Sequence, residues 1–508
     1  MPLEPLQMAP ATTALVPGQS VGRMALGASL HDVLTMIKED RAQYRAVDLH
    51  YSQTDPLQAP VVVTLPENGI RLQFDGPDQR LRLIEITDFS KINLIYKGSE
   101  LTKNHDQAIS SRPAFKRIYQ IFGASYPGEY IPSKARSPIG TYVLSWEGVA
   151  FNFPLQQSAW SPERDHVSLL GSHAASPASS LAVFEGASWA AVRDSLFVYI
   201  PSAPRQPTLT ARARDHIPLP SEIDVANIAS DGSVVLVRRS PAQPFQIVIN
   251  ETMLQDIITE LGPADTTHKR EERLSTPDAG THRRRGSNFR PASTGRGSQP
   301  SSYSSTGTDT FDADFDSGDA EDEGSERTSR EIFWCYFSHG FDILIGPPSV
   351  TTTSGACNGS ASYLHSHLVV KKIILHGNVP GSYSFNRHRR LRWTIELPTQ
   401  ANRNTDRSAI NSEAHFEQTV KPRLMSQFAD SWPESDMARG KVVNRTWGAG
   451  PSDSSFFLPD AGGGGDGEDL IEGGGSEQWL GNTRLFSFPG FTFEVLENGA
   501  ISALTVAK

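Results

Sequence analysis

Cysteine is almost missing from this chain. Its 508 residues hold only Cys335 and Cys357. One disulfide is the most they could form, and so few thiols in so long a chain fit a reducing compartment better. Long hydrophobic runs are lacking too. No stretch approaches eighteen uninterrupted apolar residues, so no transmembrane helix is expected. The opening residues, MPLEPLQMAPATTALVPGQS, show no basic region leading into an apolar core, so no secretory signal is expected. Positive charge is in deficit: 47 Lys and Arg face 57 Asp and Glu, a formal net charge of −10. That balance argues against a general nucleic-acid binder. The sequence also has no G-x-x-x-x-G-K-[ST] phosphate loop, no G-x-S-x-G elbow and no H-E-x-x-H pair.

Glycine and proline, by contrast, are plentiful, at 41 and 35 residues, while the hydrophobic fraction is 38% and the mean hydropathy −0.36. Such a balance suggests folded modules interrupted by polar inserts, and the length leaves room for two or three domains. One phrase recurs four times: PENGIRLQFD (66–75), SWEGVAFNFP (145–154), FSHGFDILIG (337–346) and SFPGFTFEVL (487–496). Each places a glycine (Gly69, Gly148, Gly340, Gly490) before apolar side chains at alternating positions. This pattern predicts a tight turn into a strand with one buried face. Helical stripes precede the phrases, at 29–40, 113–123, 252–262 and, less regularly, 423–435. Two of the helices are stopped by Gly123 and Gly262 with a proline nearby. Further strands follow at 81–88, 367–377 and 500–507.

The resulting fold class is α+β: repeated small units of a helix plus an antiparallel β-meander, with a β-rich central region and disordered inserts. The expected boundaries are a flexible N-terminus over 1–22, α+β units over 23–100, 111–165, 251–400 and 401–508, and the central region over 166–250. Spacing locates the largest insert. Gly123 and Gly148 are 25 residues apart, whereas Gly262 and Gly340 are 78 apart. The surplus coincides with 275–330, within an expected insert over 268–330 that is basic at its start and strongly acidic near its end. Such composition cannot bury enough apolar surface to offset its ordering entropy. Residues 349–362 and the acidic Gly-rich loop 460–476 read the same way.

Candidate chemistry is sparse. Gly462, Gly464 and Gly467 satisfy G-x-G-x-x-G, but no strand precedes and no helix follows them, so a loop is the better reading. His50, Ser52 and Asp55 are triad residue types lying close in sequence, which suits a turn at a strand end better than a catalytic site. Cys335, among aromatics, reads as a small core residue. Cys335 and Cys357 are too few for a metal site unless His365 and His367 join them. No catalytic, cofactor-binding or metal-binding residues are therefore assigned. NRHRRLRW (386–393) is the segment of most interest. Arg387, His388, Arg389, Arg390, Arg392 and Trp393 could meet an anionic surface such as a phosphoinositide headgroup, or a partner protein. Alternatively, they form a charged strand face paired to acidic neighbours.

Several blocks also resemble the phagosome assembly factor family: LHYSQTDPLQAPVVVTLPENGIRLQFDGPDQRLRLIEI, IYQIFGASYPGEY, YFSHGFDILI, KKIILHGNVPGSYSFN and FTFEVLENGAISALT, in this order. The resemblance runs from about residue 25 to the C-terminus, between the long inserts. It implies a non-enzymatic adaptor in autophagy without a cofactor. Its implied partner is a WD-repeat β-propeller protein similar to the breast carcinoma amplified sequence 3 protein. Its implied place is the cytoplasm, with recruitment to phosphoinositide-bearing autophagosome formation sites. The alternative it leaves open is transport from the trans-Golgi network to the plasma membrane.

Overall fold

Antiparallel pairing between near neighbours builds most of this α+β chain. The computed structural model describes residues 12–102, 112–133, 137–201, 221–239, 242–269, 331–348, 368–397, 409–429, 433, 439–444 and 482–508. Cys357, His365, His367, the glycines of 462–467 and nearly all of the insert at 268–330 lie outside the described residues, as do 349–362 and 460–476.

The first half opens with the strands Thr12–Val16, Ser20–Val21 and Met24–Ala25, so part of the stretch expected to be flexible is paired backbone. Helix α1 (Leu30–Glu39) follows. Ser29 caps it by accepting from the backbone N–H of Asp32 at 3.0 Å, which satisfies one of the donors left over in the first turn. Its 3.6-residue stripe, Leu30, Val33, Leu34 and Ile37, is buried. Four strands then form a meander: Asp48–His50, Val61–Leu65, Ile70–Phe74 and Leu81–Ile86. In Val61–Leu65 the alternation predicted for a half-buried strand is plain, with Val61, Val63 and Leu65 inside. Asn93–Tyr96 returns to pair in parallel with the opening strand. Helix α2 (Phe115–Phe122) introduces a second meander, Glu129–Ile131, Ile139–Trp146, Val149–Gln156 and Ser180–Val183. Its last strand pairs with Leu81–Ile86, which joins both meanders into one eight-stranded sheet.

The second half runs through the same order of elements. Ile223–Ile228, Val234–Arg238 and Phe245–Ile247 precede helix α3 (Leu254–Leu261) and a meander of Thr266–Lys269, Ile332–Tyr336, Phe341–Gly346 and Val369–His376. Arg392–Ile395 pairs in parallel with Ile223–Ile228, as Asn93–Tyr96 does with its counterpart. A π-turn, Phe416–Val420, runs into helix α4 (Lys421–Phe428), and the strands Lys441–Asn444, Asn482–Phe488, Phe491–Val495 and Ile501–Ala507 complete a second eight-stranded sheet.

Residues 166–250, expected as a central β-rich region, are divided between these two halves. Ser180–Val183 closes the first large sheet, and 223–247 begins the second half. The physical cause is the excursion between Val149–Gln156 and Ser180–Val183. It carries two short helical turns, Gln157–Ala159 and His166–Leu170, and separates the last strand from its meander in sequence. Gly69, Gly148, Gly340 and Gly490 all occupy the turn between the second and third strands of a meander, with φ of +63°, +73°, +86° and +80°. Each half has its own large apolar core, and Phe385 from the second half packs into the first one. Leu57, Val379, Leu496 and Ala500 form a small cluster between the halves.

Candidate functional site at the polar junction between the halves

The arginine-rich segment lies in the connection from Val369–His376 to Arg392–Ile395, and most of it is inside the protein. His388, Arg389, Arg390 and Trp393 are 5%, 3%, 6% and 1% exposed. Arg387 is exposed, and the Arg392 side chain is 38% exposed. Trp393 belongs to the second core, its ring 6.1 Å from that of Phe493. An anion-binding surface made of all these residues is therefore corrected to an internal network. Strand alternation with Leu391 and Trp393 draws the guanidiniums into a seam that already holds carboxylates.

Arg390 donates to the carbonyls of Gly377 at 2.8 Å and Pro77, and to Glu413 at 2.9 Å. Arg392 donates to Glu413 at 2.9 Å and to Asp78 at 3.0 Å. Arg389 and Arg80 both pair with Glu222, whose side chain is almost wholly buried. From the first half, Gln79 sits at φ +50° and exchanges two hydrogen bonds of 2.8 Å with Asn378. Asp75 accepts from Arg82 at 2.8 Å and from the backbone N–H groups of Asp78 and Arg80 at 2.6 and 2.9 Å. Burial pulls the Arg390 and Arg80 guanidiniums below their ordinary values, and the surrounding carboxylates oppose it. Burial alone would push Glu413 up, but Arg390 and Arg392 outweigh it and hold the carboxyl below its usual range. Taking such charges out of water is costly, and close pairing with further hydrogen bonds is what offsets the cost. Chemically, the junction holds two halves in register.

Other candidates settle into local roles. Ser52 accepts from the Asp55 backbone N–H at 3.1 Å, and Thr54 donates to the Asp55 carboxylate at 3.1 Å, while His50 is exposed at the end of its strand. That is a turn. Cys335 is buried, with its thiol pushed up to about 12 by burial and by Asp342. Among the described residues, Asp342, His376 and His388 are the His, Cys, Asp or Glu group with donor atoms close enough to share an ion. Sequence reasoning missed Asp78, Glu222, Asn378 and Glu413. One signal was available: Arg82 alternates with Leu81 and Leu83 on a strand whose two faces are both buried, and Arg80 immediately precedes that strand.

Comparison with known proteins places the chain in a family. A family model described as phagosome assembly factor 1 matches residues 20–290 and 317–507. A PHAF1 protein of Drosophila melanogaster is 24% identical over 405 residues, 75% of this chain and 74% of its own. PHAF1 proteins of Arabidopsis thaliana and Caenorhabditis elegans are 32% and 31% identical over 153 and 129 residues. Those two matches cover 30% and 25% of this chain, and span only 35% and 28% of the relatives' lengths. No solved structure matches. The family model covers both halves and the junction residues between them, and the chain belongs to the phagosome assembly factor 1 family.

Proposed function

We propose that this protein is a non-enzymatic adaptor in autophagy that acts by holding partners together at sites of autophagosome formation. The observation that carries this reading is the family match along both halves, from residue 20 to residue 507. A two-half scaffold with a tightly paired junction supports it, because a rigid body presents fixed surfaces to partners. The proposed partner is a WD-repeat β-propeller protein similar to the breast carcinoma amplified sequence 3 protein. Arg389 and Arg390 are buried against Glu222 and Glu413, which favours the propeller as the carrier of phosphoinositide affinity. The proposed location is the cytoplasm, with recruitment to the phagophore assembly site.

Affinity purification of the tagged full chain from starved cells, read by mass spectrometry, tests the partner. A WD-repeat propeller should be enriched at near-stoichiometric yield. Flotation with phosphoinositide vesicles then tests the division of labour: the chain alone stays at the bottom, and the chain with its propeller floats. Recovery of Golgi-to-surface transport components without a propeller would overturn the proposal in favour of the trafficking reading.

A further inference from the structure

Beside the junction, on the outer side of the second large sheet, three polar side chains converge. Asp342 lies on Phe341–Gly346 opposite Ile374, and His376 stands two residues further along the paired strand. The two therefore share a face. That face is turned away from the core residues Phe341, Ile343 and Leu375. His388 reaches the same place from the connecting segment. The Asp342 Oδ2 atom is 2.9 Å from His376 Nε2, and Oδ1 is 2.8 Å from His388 Nε2. The two imidazoles are stacked, with centroids 3.7 Å apart and planes 13° from parallel. Both Nε2 atoms thus face one carboxylate. The side chains of His376, Asp342 and His388 are 16%, 14% and 6% exposed.

A buried carboxylate needs a cation, and buried charges are normally paired or bound to metal. Among the described residues, the ion-pair partners of Asp342 are these two histidines, which carry charge only when protonated. His388 is only 6% exposed and reaches the carboxylate through Nε2. Its Nδ1 atom has no hydrogen-bond partner among the described residues. No second bond therefore fixes the Nε2–H tautomer, and the Nε2 lone pair can be freed without breaking a contact at Nδ1.

We propose that Asp342, His376 and His388 bind one divalent transition-metal ion, for which zinc is the best chemical match. Two imidazoles and a carboxylate are ordinary zinc ligands, and a filled d shell tolerates the geometry a sheet surface imposes. Donor atoms on a tetrahedral zinc ion lie about 3.3 Å apart. The ion therefore opens the present hydrogen-bonded contacts by about half an ångström and tilts the stacked rings toward a common point. The Nε2 protons pass to Nδ1, so both imidazoles bind as neutral ligands. Cys335 is outside the ligand set, leaving the fourth position to water. Because His388 immediately precedes Arg389 and Arg390, the ion staples the junction segment to the sheet.

The test uses the tag-free full chain, stripped with a chelator and titrated with Zn²⁺ by calorimetry and with Co²⁺ by visible spectroscopy. One ion per chain is expected, with tetrahedral Co²⁺ bands and a higher melting temperature. His376→Gln, at a partly exposed position, should keep the fold while weakening binding by more than the 10–100-fold typical for loss of an outer-shell partner. Exposed His50→Gln should bind like the parent. The proposal fails if the parent takes up no ion in tetrahedral form, or if His376→Gln binds as tightly as the parent. Should His388→Gln not fold, the His376 comparison decides alone.

Discussion

Replacing Gly340 and Gly490 with alanine separates two costs that the recurring glycine turns combine. Both residues sit in the left-handed region, at φ +86° and +80°. There a side chain costs roughly 1–2 kcal/mol in backbone strain. The surroundings differ. A Cβ on Gly340 would lie 2.4 Å from the carbonyl oxygen of Arg389 and 3.0 Å from the Cβ of Leu391. At Gly490 the nearest atom is the carbonyl oxygen of Ala507, at 3.6 Å, an ordinary contact. The Arg389 carbonyl belongs to backbone held on both sides, by Glu222 and by the Arg390 network, so it cannot move away cheaply. Overpacking of this kind adds about 1–3 kcal/mol. Gly490→Ala should therefore cost about 1–2 kcal/mol, and Gly340→Ala about 2–5 kcal/mol. Urea unfolding followed by circular dichroism and by tryptophan fluorescence measures both. Equal losses at the two positions would refute the reasoning, because strain alone would then account for the turns.

Two further outcomes follow from the junction. Arg390→Met removes four hydrogen-bonded contacts, to Pro77, Gly377, Ser412 and Glu413, and leaves Glu413 with less compensation, so stability should fall by about 3–5 kcal/mol. Because the pair is buried, the loss measured by urea unfolding should change little between low and moderate salt. Glu413 has its folded carboxyl held below the unfolded value. Its contribution is therefore present above the unfolded value, near 4.3, and is lost as pH falls through the folded one. Glu413→Gln should be less stable than the parent at pH 7, and the gap should narrow on acidification; a gap independent of pH would contradict this assignment.

Local patterns made much of the fold legible, and contacts distant in sequence hid the rest. The stripe Leu30, Val33, Leu34 and Ile37 and the alternation in Val61–Leu65 depend only on neighbouring residues, and both appear as read. So does the turn at Gly148, although no pattern announced that a Cβ there would strike Gly18 at 2.1 Å. Helix α4 begins earlier than its sequence suggested, because a π-turn and Pro422 blur the 3.6-residue period. The arginine segment was harder. Strand alternation already set Arg390 and Arg392 apart from Arg389, but burial was decided by Glu222 and Asp78, which lie more than 150 residues away. An arginine awaiting solvent and one awaiting a buried carboxylate look alike in a short window. The Asp342, His376 and His388 group has no short spacing either, since a meander and a linker bring it together.

Live imaging of the tagged full chain in starved cells tests the adaptor reading most directly. The account predicts that puncta appear on starvation, coincide with growing phagophores, and require the propeller partner. Puncta that stay on the trans-Golgi network through starvation, or form on phagophores in cells lacking any WD-repeat partner, would contradict it.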